Sequence, residues 1–336
     1  MMKRFAGTSV IAAVIGLGLA GGAFAEDWKF AIEEIPGSIM DSYAQEFKKR
    51  IEAATDGDVT VTIYPLGSLG TPSEVAEQTA DGVVQFSNLS VGNLGTIAPD
   101  SQFLLTPYLF PNDPEKLNTL LATSKTLHED MAEDLANKGL HLGALYSEGQ
   151  QVWTTKREVR SPEDADNFKM RVMVSPLLVT AYEDLGFSPT PVPFGDVYGA
   201  LQLGQVDGQV NPVPTIEEMK FYENTDYMIW AGGEELITIV MSGEDWYQDQ
   251  PDERKALIDE TFAGLYDFIA PVVAQFNDER LDKIKAAKPD IQMITLTDEE
   301  RAQFSERAKD TQTKIDKVIS PRGAELLESL KAEMAQ

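Results

Sequence analysis

The segment Asn167–Pro212 reads NFKMRVMVSPLLVTAYEDLGFSPTPVPFGDVYGALQLGQVDGQVNP, and its pattern decides the fold of the chain. It begins with a strand-like run of basic and apolar residues, Phe168–Val174, and passes through a loop with three prolines, Pro189–Gly195. A short helical run, Asp196–Gln202, follows, and the segment closes on Val206–Pro212. Strands that alternate with helices indicate an α/β fold.

Three side chains with binding chemistry lie near the ends of these elements: Arg171, Phe194 and Asn211. A guanidinium pairs with a carboxylate through two parallel hydrogen bonds, so a fixed arginine suits a small anionic solute. The residues by themselves leave a second interpretation open. An isolated arginine at a strand edge is usually a solvated surface residue, and a phenylalanine usually belongs to the core.

The N-terminus has the pattern of a secretory signal peptide. Lys3 and Arg4 precede an uncharged apolar run, Ala6–Gly22, and the small-x-small motif Ala23-Phe24-Ala25 ends it. We therefore expect residues 1–25 to be cleaved before Glu26, which places the mature protein in the periplasm. The alternative is a membrane anchor, but the run is short for a membrane span. Stable membrane insertion is not expected.

The chain is strongly acidic, with a formal net charge of −27 at pH 7. Phosphates and anionic lipids are repelled by such a surface, which argues against nucleic acid as a partner and favours a soluble monomer. A hydrophobic content of 43% over 336 residues supports a globular chain of two domains. The sequence contains no cysteine, so neither a disulfide nor a lipid anchor on cysteine is possible.

Apolar periodicity outside the opening segment also alternates between strand and helix. A βαβ succession of this kind predicts a largely parallel sheet. The predicted strands are Trp28–Ile32, Val59–Tyr64, Val83–Phe86, Leu140–Tyr146, Tyr227–Trp230 and Leu236–Met241. The predicted helices are Ile39–Thr55, Pro72–Asp81, Pro114–Lys138, a helix starting at Ser161, a long helix with an apolar stripe from Ile258 to Phe276, Asp298–Lys317 and Pro321–Met334. Ser87–Gly95 has the composition of a polar loop.

Motifs for catalysis or metal binding are sparse. The chain has two histidines, His128 and His141, and no cysteine, so no tetrahedral zinc set is expected and no cofactor is implied. The pairs Glu33-Glu34 and Glu234-Glu235 are best explained as solvated loop charges in a chain with 55 acidic residues. A secreted hydrolase or lyase that uses Glu34 and Arg171 stays open as an alternative.

An ordered set of motifs resembles the periplasmic solute-binding subunits of tripartite ATP-independent periplasmic (TRAP) transporters, the DctP family. The set covers essentially the whole mature chain. The matching stretches are Tyr64–Gly70, Pro107–Phe110, Ser161–Asp164, Lys169–Arg171, Pro189–Tyr198, Asp207–Gln209, Asn211-Pro212 and Phe221–Glu223.

This resemblance implies a periplasmic binding protein fold of two α/β lobes, joined by hinge strands and crossed by one long helix. The first lobe would comprise residues 26–150 and 238–279, and the second residues 151–237 and 280–336. The implied function is capture of a small organic anion or zwitterion, such as an ectoine-like compatible solute or an organic acid, for uptake by the membrane permease of a TRAP transporter. A sulfonate, a sugar acid or a phosphate ester is the alternative ligand.

The resemblance also implies the residues that contact the ligand, which are Glu34, Ser90, Asn93, Gln151, Arg171, Phe194, Asn211 and Thr215. Arg171 takes the place of the arginine that binds the ligand carboxylate, Phe194 that of an aromatic wall and Asn211 that of an amide. Asn88 and Glu235 are further candidates.

Within the family, the start Trp28–Glu34 is most similar to the ectoine-binding members, in which the second glutamate contacts the cationic ring. Glu34 stands at that position. Two positions depart from that group, because Thr215 replaces a tryptophan and Asn93 a phenylalanine, so the aromatic surface that a delocalised cation prefers is lost. Gln151 stands where sialic-acid binders carry a second arginine.

Overall fold

The computed structural model describes residues 26–335, and the predicted signal peptide, residues 1–25, lies outside the described residues. Two sheets form the framework. The strands are β1 Glu26–Ile32, β2 Val59–Tyr64, β3 Phe86–Ser90, β4 Leu140–Gln150, β5 Val152–Thr155, β6 Lys169–Val172, β7 Ser188–Pro191, β8 Gly208–Asn211, β9 Tyr227–Trp230, β10 Glu235–Gly243 and β11 Gln292–Thr295. The order is β2-β1-β3-β10-β4 in the first sheet and β11-β9-β5-β8-β6-β7 in the second.

Helices cover both sheets, and each sheet with its helices forms one lobe of a two-lobed α/β fold. The helices are α1 Ile39–Ala54, α2 Pro72–Ala80, α3 Pro114–Thr123, α4 Ala132–Ala136, α5 Pro176–Asp184, α6 Val197–Gln202, α7 Val213–Glu218, α8 Glu244–Gln248, α9 Asp252–Ala287, α10 Asp298–Val318 and α11 Pro321–Met334. Among residues 26–335, no helix combines the length and the apolar character that a bilayer crossing needs.

The chain passes between the sheets three times, the last time through α9, which leads from β10 in the first sheet to β11 in the second. Strand β4 leads through Gln151 directly into β5, and the chain returns after β9 into β10. Strands β4 and β10 pair antiparallel in the first sheet, and β5 pairs antiparallel with β8 and β9 in the second. The prediction of a largely parallel sheet is therefore wrong: both sheets are mixed, because the strands that connect the lobes run against their neighbours. The residue limits of the two lobes stay a prediction.

Local sequence explains the best-predicted helices. Ser38 caps α1 by accepting a hydrogen bond from the backbone nitrogen of Asp41. Helix α2 begins with a complete capping box, in which the side chain of Thr71 and that of Glu74 each bond the other residue's backbone nitrogen. Both caps lie beside apolar positions at helical spacing, so local signals and core packing agree there.

The long helix α9 contacts both lobes. Its predicted apolar stripe packs on the first lobe, where Phe262 stacks on Phe47 of α1 with ring centroids 5.4 Å apart. One further turn beyond the stripe, Arg280 forms an ion pair with Glu217 of α7 in the second lobe at 2.9 Å. The implied helix that crosses both lobes is thus present, and its 36 residues include Pro271.

Three predicted elements were wrong. The third strand is Phe86–Ser90 and not Val83–Phe86, so part of the predicted polar loop is a buried strand. It lies between β1 and β10, where Asn88 donates a hydrogen bond to the Tyr146 hydroxyl at 2.9 Å. The burial of this strand is not fully compensated, because the Ser87 hydroxyl and the side-chain oxygen of Asn88 have no hydrogen-bonding partner within residues 26–335.

The other two errors concern helices. Residues 161–167 form turns rather than a helix, because Asn167 takes a left-handed conformation with φ 55° that ends the run before β6. The predicted helix Pro114–Lys138 breaks at Ser124. The carboxylate of Glu333 in α11 accepts hydrogen bonds from the Ser124 hydroxyl and from the backbone nitrogen of Lys125. These hydrogen bonds stabilise the break in the helix.

Candidate functional site

Arg171 lies on β6 and is 1% exposed, so its interpretation as a solvated surface residue is wrong. Its Nε donates a hydrogen bond to the carbonyl of Val192 at 3.0 Å, which fixes the plane of the guanidinium. Its two terminal nitrogens have no hydrogen-bonding partner within residues 26–335. Burial lowers the pKa of Arg171 to about 10, and the charge of Glu33 opposes that shift, so the group is cationic at neutral pH.

Glu33 faces this arginine and was missed as a site residue by the sequence reasoning. It follows β1 directly and is 8% exposed. Asn93 donates from Nδ2 to its Oε2 at 2.7 Å and to the Ser90 hydroxyl at 3.1 Å. Burial raises the pKa of Glu33 to about 7, although the hydrogen bonds from Ser90 and Asn93 favour the charged form. Two predicted residues, Ser90 and Asn93, are therefore brought together around a carboxylate that the sequence reasoning treated as solvated.

Glu34 is also buried, at 4% exposure, and it connects the two lobes. Its Oε2 accepts from the backbone nitrogen of Met40, and its Oε1 accepts from the hydroxyl of Thr215, each at 3.3 Å. Thr215 belongs to α7 in the second lobe, so the two residues implied by resemblance meet across the interface. The interpretation of Glu33 and Glu34 as solvated loop charges is wrong, because both side chains turn inward at the end of a central strand.

Further polar contacts show that the lobes are in contact with one another. The hydroxyl of Ser175 in α5 donates to the side-chain oxygen of Gln102 at 2.6 Å, and Ser90 contacts the sulfur of Met173 at 3.3 Å. Arg280 adds a bond from Nη2 to the carbonyl of Gly37 at 3.0 Å. These pairs join residues of the first lobe to residues around or beyond the second sheet, as expected of a closed cleft.

The amide of Asn211 ends a polar chain on the second sheet. It donates to the side-chain oxygen of Gln209, which in turn donates from Nε2 to the hydroxyl of Thr154 at 2.8 Å. Phe194 is 9% exposed and packs edge-on against Phe221, with ring centroids 6.2 Å apart. Phe194 is therefore part of a hydrophobic cluster, and its predicted role as a wall of the ligand site stays a prediction.

Gln151 lies at the crossover between the sheets and lines a small cavity together with the further candidate Glu235. Its backbone nitrogen donates to the carbonyl of Glu234 at 2.9 Å. The side chain of Glu234 accepts from the hydroxyl of Tyr182 at 2.6 Å, and burial raises its pKa to about 7. The further candidate Glu235 accepts from Ser147 at 2.7 Å. Gln151 thus belongs to a second polar network at the crossover.

The described residues offer little for other chemistry. No group of three or more histidine, cysteine, aspartate or glutamate side chains within residues 26–335 is arranged to hold a metal ion. The ring of His141 stacks on Tyr247 and faces Glu244, and the ring of His128 contacts the carbonyl of Leu121. Neither histidine contacts the residues around Arg171.

Comparisons with known proteins show the family of the chain. Residues 30–317 match the model of the DctP family, bacterial extracellular solute-binding protein, family 7. The ectoine/5-hydroxyectoine-binding periplasmic protein UehA of Ruegeria pomeroyi is 37% identical over 327 residues, 97% of this chain and 96% of the relative. The ectoine-binding periplasmic protein TeaA of Halomonas elongata is 36% identical over 318 residues, 95% and 93% of the two chains.

A solved structure extends the likeness to three dimensions. The periplasmic ectoine-binding protein of the TeaABC TRAP transporter of Halomonas elongata superposes with a TM-score of 0.88 at 35% identity, over 92% of this chain and 99% of that one. Its two-lobed architecture is therefore shared over nearly the entire described region.

Proposed function

The chain belongs to the bacterial extracellular solute-binding proteins, family 7, and on that premise we propose that it captures a small carboxylate-bearing or zwitterionic solute in the periplasm for a TRAP transporter. The observation that carries the ligand class is the guanidinium of Arg171, which is buried, fixed at Nε and unpartnered at both terminal nitrogens within the described residues. Those two donors match the two oxygens of a carboxylate.

The second end of the solute faces carboxylates in this proposal. Glu34 contacts that end of the solute, and the charge of Glu33 compensates the positive charge of Arg171. A ligand with one carboxylate and a cationic or donor-rich end fits both charges, whereas a dianion would be repelled by the glutamates. Two of the relatives bind ectoine according to their names, so ectoine is the first solute to test.

The two substitutions in the pocket support a more polar solute than ectoine itself. Asn93 and Thr215 already contact Glu33 and Glu34 through hydrogen bonds of 2.7 and 3.3 Å. The amide of Asn93 and the hydroxyl of Thr215 place hydrogen-bonding groups near the ligand. An aromatic ring at either position would instead stack on the ligand. We propose an amino acid derivative or hydroxy acid with N–H or O–H donors, bound without turnover by a monomer that delivers it to the membrane permease.

A solute screen tests this function. The mature chain, expected to begin at Glu26, is heated with ectoine, 5-hydroxyectoine, amino acids, sugar acids and sulfonates, and solute carried through purification is identified by mass spectrometry. A ligand at 100 times its dissociation constant should add about 2.7 kcal/mol to the free energy of unfolding. Stabilisation by dianions alone, or conversion of a stabilising solute into a product, would contradict the proposal.

A further inference from the structure

The carboxyl groups of Glu34, Glu148 and Glu218 form a buried cluster between the lobes. Glu148 lies on β4 near the crossover and is fully buried, and Glu34 is 4% exposed. Glu218 ends α7 in the second lobe, and its side chain is 5% exposed. Charge on Glu34 acts on both of the others, so the three groups share one electrostatic environment.

One oxygen of Glu148 has no donor. The hydroxyl of Thr238 on β10 donates to Oε1 at 2.9 Å, while Oε2 is buried and unpartnered within residues 26–335. The nearby carboxyl of Glu34 acts on this group, because its charge raises the pKa of Glu148 further. Two adjacent buried carboxylates cannot both be ionised at low energetic cost. A proton between them supplies the donor that Oε2 lacks.

Glu218 reaches this pair from the second lobe with incomplete charge compensation. Its Oε1 lies 3.3 Å from Nη2 of Arg280, but the same guanidinium pairs with Glu217 at 2.9 Å. One cation therefore serves two carboxylates. Because Arg280 also bonds the carbonyl of Gly37 in the first lobe, the ion pair and the cluster come together when the lobes meet.

The remaining titratable groups around the cluster do not neutralise it. They are Glu33, Tyr146 and Tyr43 in the first lobe and Glu217, Arg280 and Lys283 around α7, with Arg171 opposite Glu33. Burial raises the pKa of Glu34 and raises that of Glu148 well above its usual range. Burial, with the charge of Glu34, raises the pKa of Glu218 to about 9, and Arg280 only partly opposes this.

We propose that Glu148 and Glu218 are positioning residues that hold Glu34 in a proton-sharing cluster, so that closure of the lobes on a solute takes up about one proton from the solvent. The proposal rests on the proposed function, because it identifies closure with solute capture. Glu148 and Glu34 share a proton within the first lobe, and the approach of Glu218 on closure adds the second. Affinity then rises about tenfold for each unit of pH decrease between pH 8 and pH 7.

Calorimetric titration with ectoine as the probe measures this uptake. The heat of binding is recorded at several pH values in two buffers of different ionisation enthalpy, which gives the number of protons taken up. We expect about one proton for the native chain and for Glu148→Gln, because the proton of the Glu34–Glu148 pair is held before closure. We expect clearly less for Glu218→Gln, whose amide stands in for a protonated carboxyl. Glu253→Gln, an exposed position at the start of α9, is the control and should match the native chain.

The outcomes separate positioning from packing. Glu218→Gln should bind ectoine at pH 8 at least as tightly as the native chain, because the amide needs no proton, and should lose the steep pH dependence. Equal loss of affinity at every pH would indicate packing and overturn the proposal. Zero net uptake, or release, in the native chain would overturn it as well.

A second measurement needs no solute. The melting temperature of the native chain should fall between pH 5 and pH 9, because the folded cluster binds protons that the unfolded chain loses. In Glu148→Gln the fall should be shallower, and parallel curves for the two proteins would overturn the shared proton. If ectoine does not bind, ectoine is rejected as the ligand. The melting curves still decide whether the Glu34–Glu148 pair holds a proton, because they need no solute.

Discussion

Two glutamate pairs with the same sequence pattern have different surroundings. Glu33-Glu34 follows β1, Glu234-Glu235 lies at the start of β10, and burial raises the pKa of Glu33 and of Glu234 alike to about 7. The first pair faces Arg171 and contacts Thr215 across the lobes. The second is held by neutral hydroxyls of Tyr182 and Ser147 at the crossover.

The difference shows that burial alone does not mark a binding site. Where a carboxylate lies opposite a fixed, unpartnered cation, a ligand can pair with that cation and so bind there. A carboxyl that accepts from hydroxyls of its own fold is already satisfied on one oxygen, and the pKa near 7 then affects stability rather than recognition. We therefore propose a role in recognition for the first pair and a role in stability for the second.

The largest expected effect concerns Glu234. Its folded pKa of about 7 lies above the usual 4.5, so its contribution to stability is full below pH 4.5 and is lost as the pH rises through 7. The difference between the two pKa values corresponds to about 3 kcal/mol of unfolding free energy, at 1.36 kcal/mol per pKa unit. Glu234→Gln should remove this pH-dependent loss of stability. Urea titrations should show that the free energy of unfolding of the variant decreases less between pH 5 and pH 8 than that of the native chain.

The two glutamate pairs can be separated directly with Glu33→Gln. Glu33→Gln should make the decrease in free energy of unfolding between pH 5 and pH 8 smaller, and it should also change solute affinity. Glu234→Gln should leave solute affinity unchanged. Equal effects of the two substitutions on affinity would remove the distinction between the pairs.

The next effect concerns the cation. Arg171→Lys keeps the charge but loses the two parallel donors, so solute binding should weaken by about 1.5 to 3 kcal/mol, the range for a hydrogen bond to a charged group. Calorimetry with the stabilising solute measures it, and circular dichroism checks the fold. Arg307→Lys, at a half-exposed position on α10, is the matched control and should bind like the native chain. Unchanged affinity in Arg171→Lys would exclude Arg171 from the site.

The sequence predicted the elements whose signals are local. Helix α1 lies within its predicted range and buries Met40, Tyr43, Phe47 and Ile51, which recur at helical spacing, and α2 begins at its predicted residue behind the cap at Thr71. Strand β3 was misplaced because its polar residues are buried only through pairing with β1 and β10, which no local pattern encodes.

The site was predicted in a similarly uneven way. Motif resemblance indicated Arg171, Glu34 and Thr215, and the structure gives each of them a buried position. Glu33, Glu148 and Glu218 were missed because glutamates in a chain with 55 acidic residues look like solvated charges. Their burial follows from the meeting of β1, β4 and α7, which are far apart in sequence. The one signal available was that Glu33 directly follows a buried strand, where side chains reach the edge of a sheet.

The smallest expected effect concerns the contact across the lobes. The hydroxyl of Thr215 donates to Glu34 over 3.3 Å, a long bond from a neutral donor, and Thr215→Val removes it while nearly keeping the volume. Because the bond exists only when α7 meets the loop after β1, solute affinity should fall by about 0.5 to 1.5 kcal/mol. The free energy of unfolding of the solute-free protein should change less. Thr313→Val, on the exposed face of α10, should leave both quantities unchanged. A larger loss of stability than of affinity in Thr215→Val would place the contact in the folded core rather than in closure, and would weaken the assignment of the first glutamate pair to recognition.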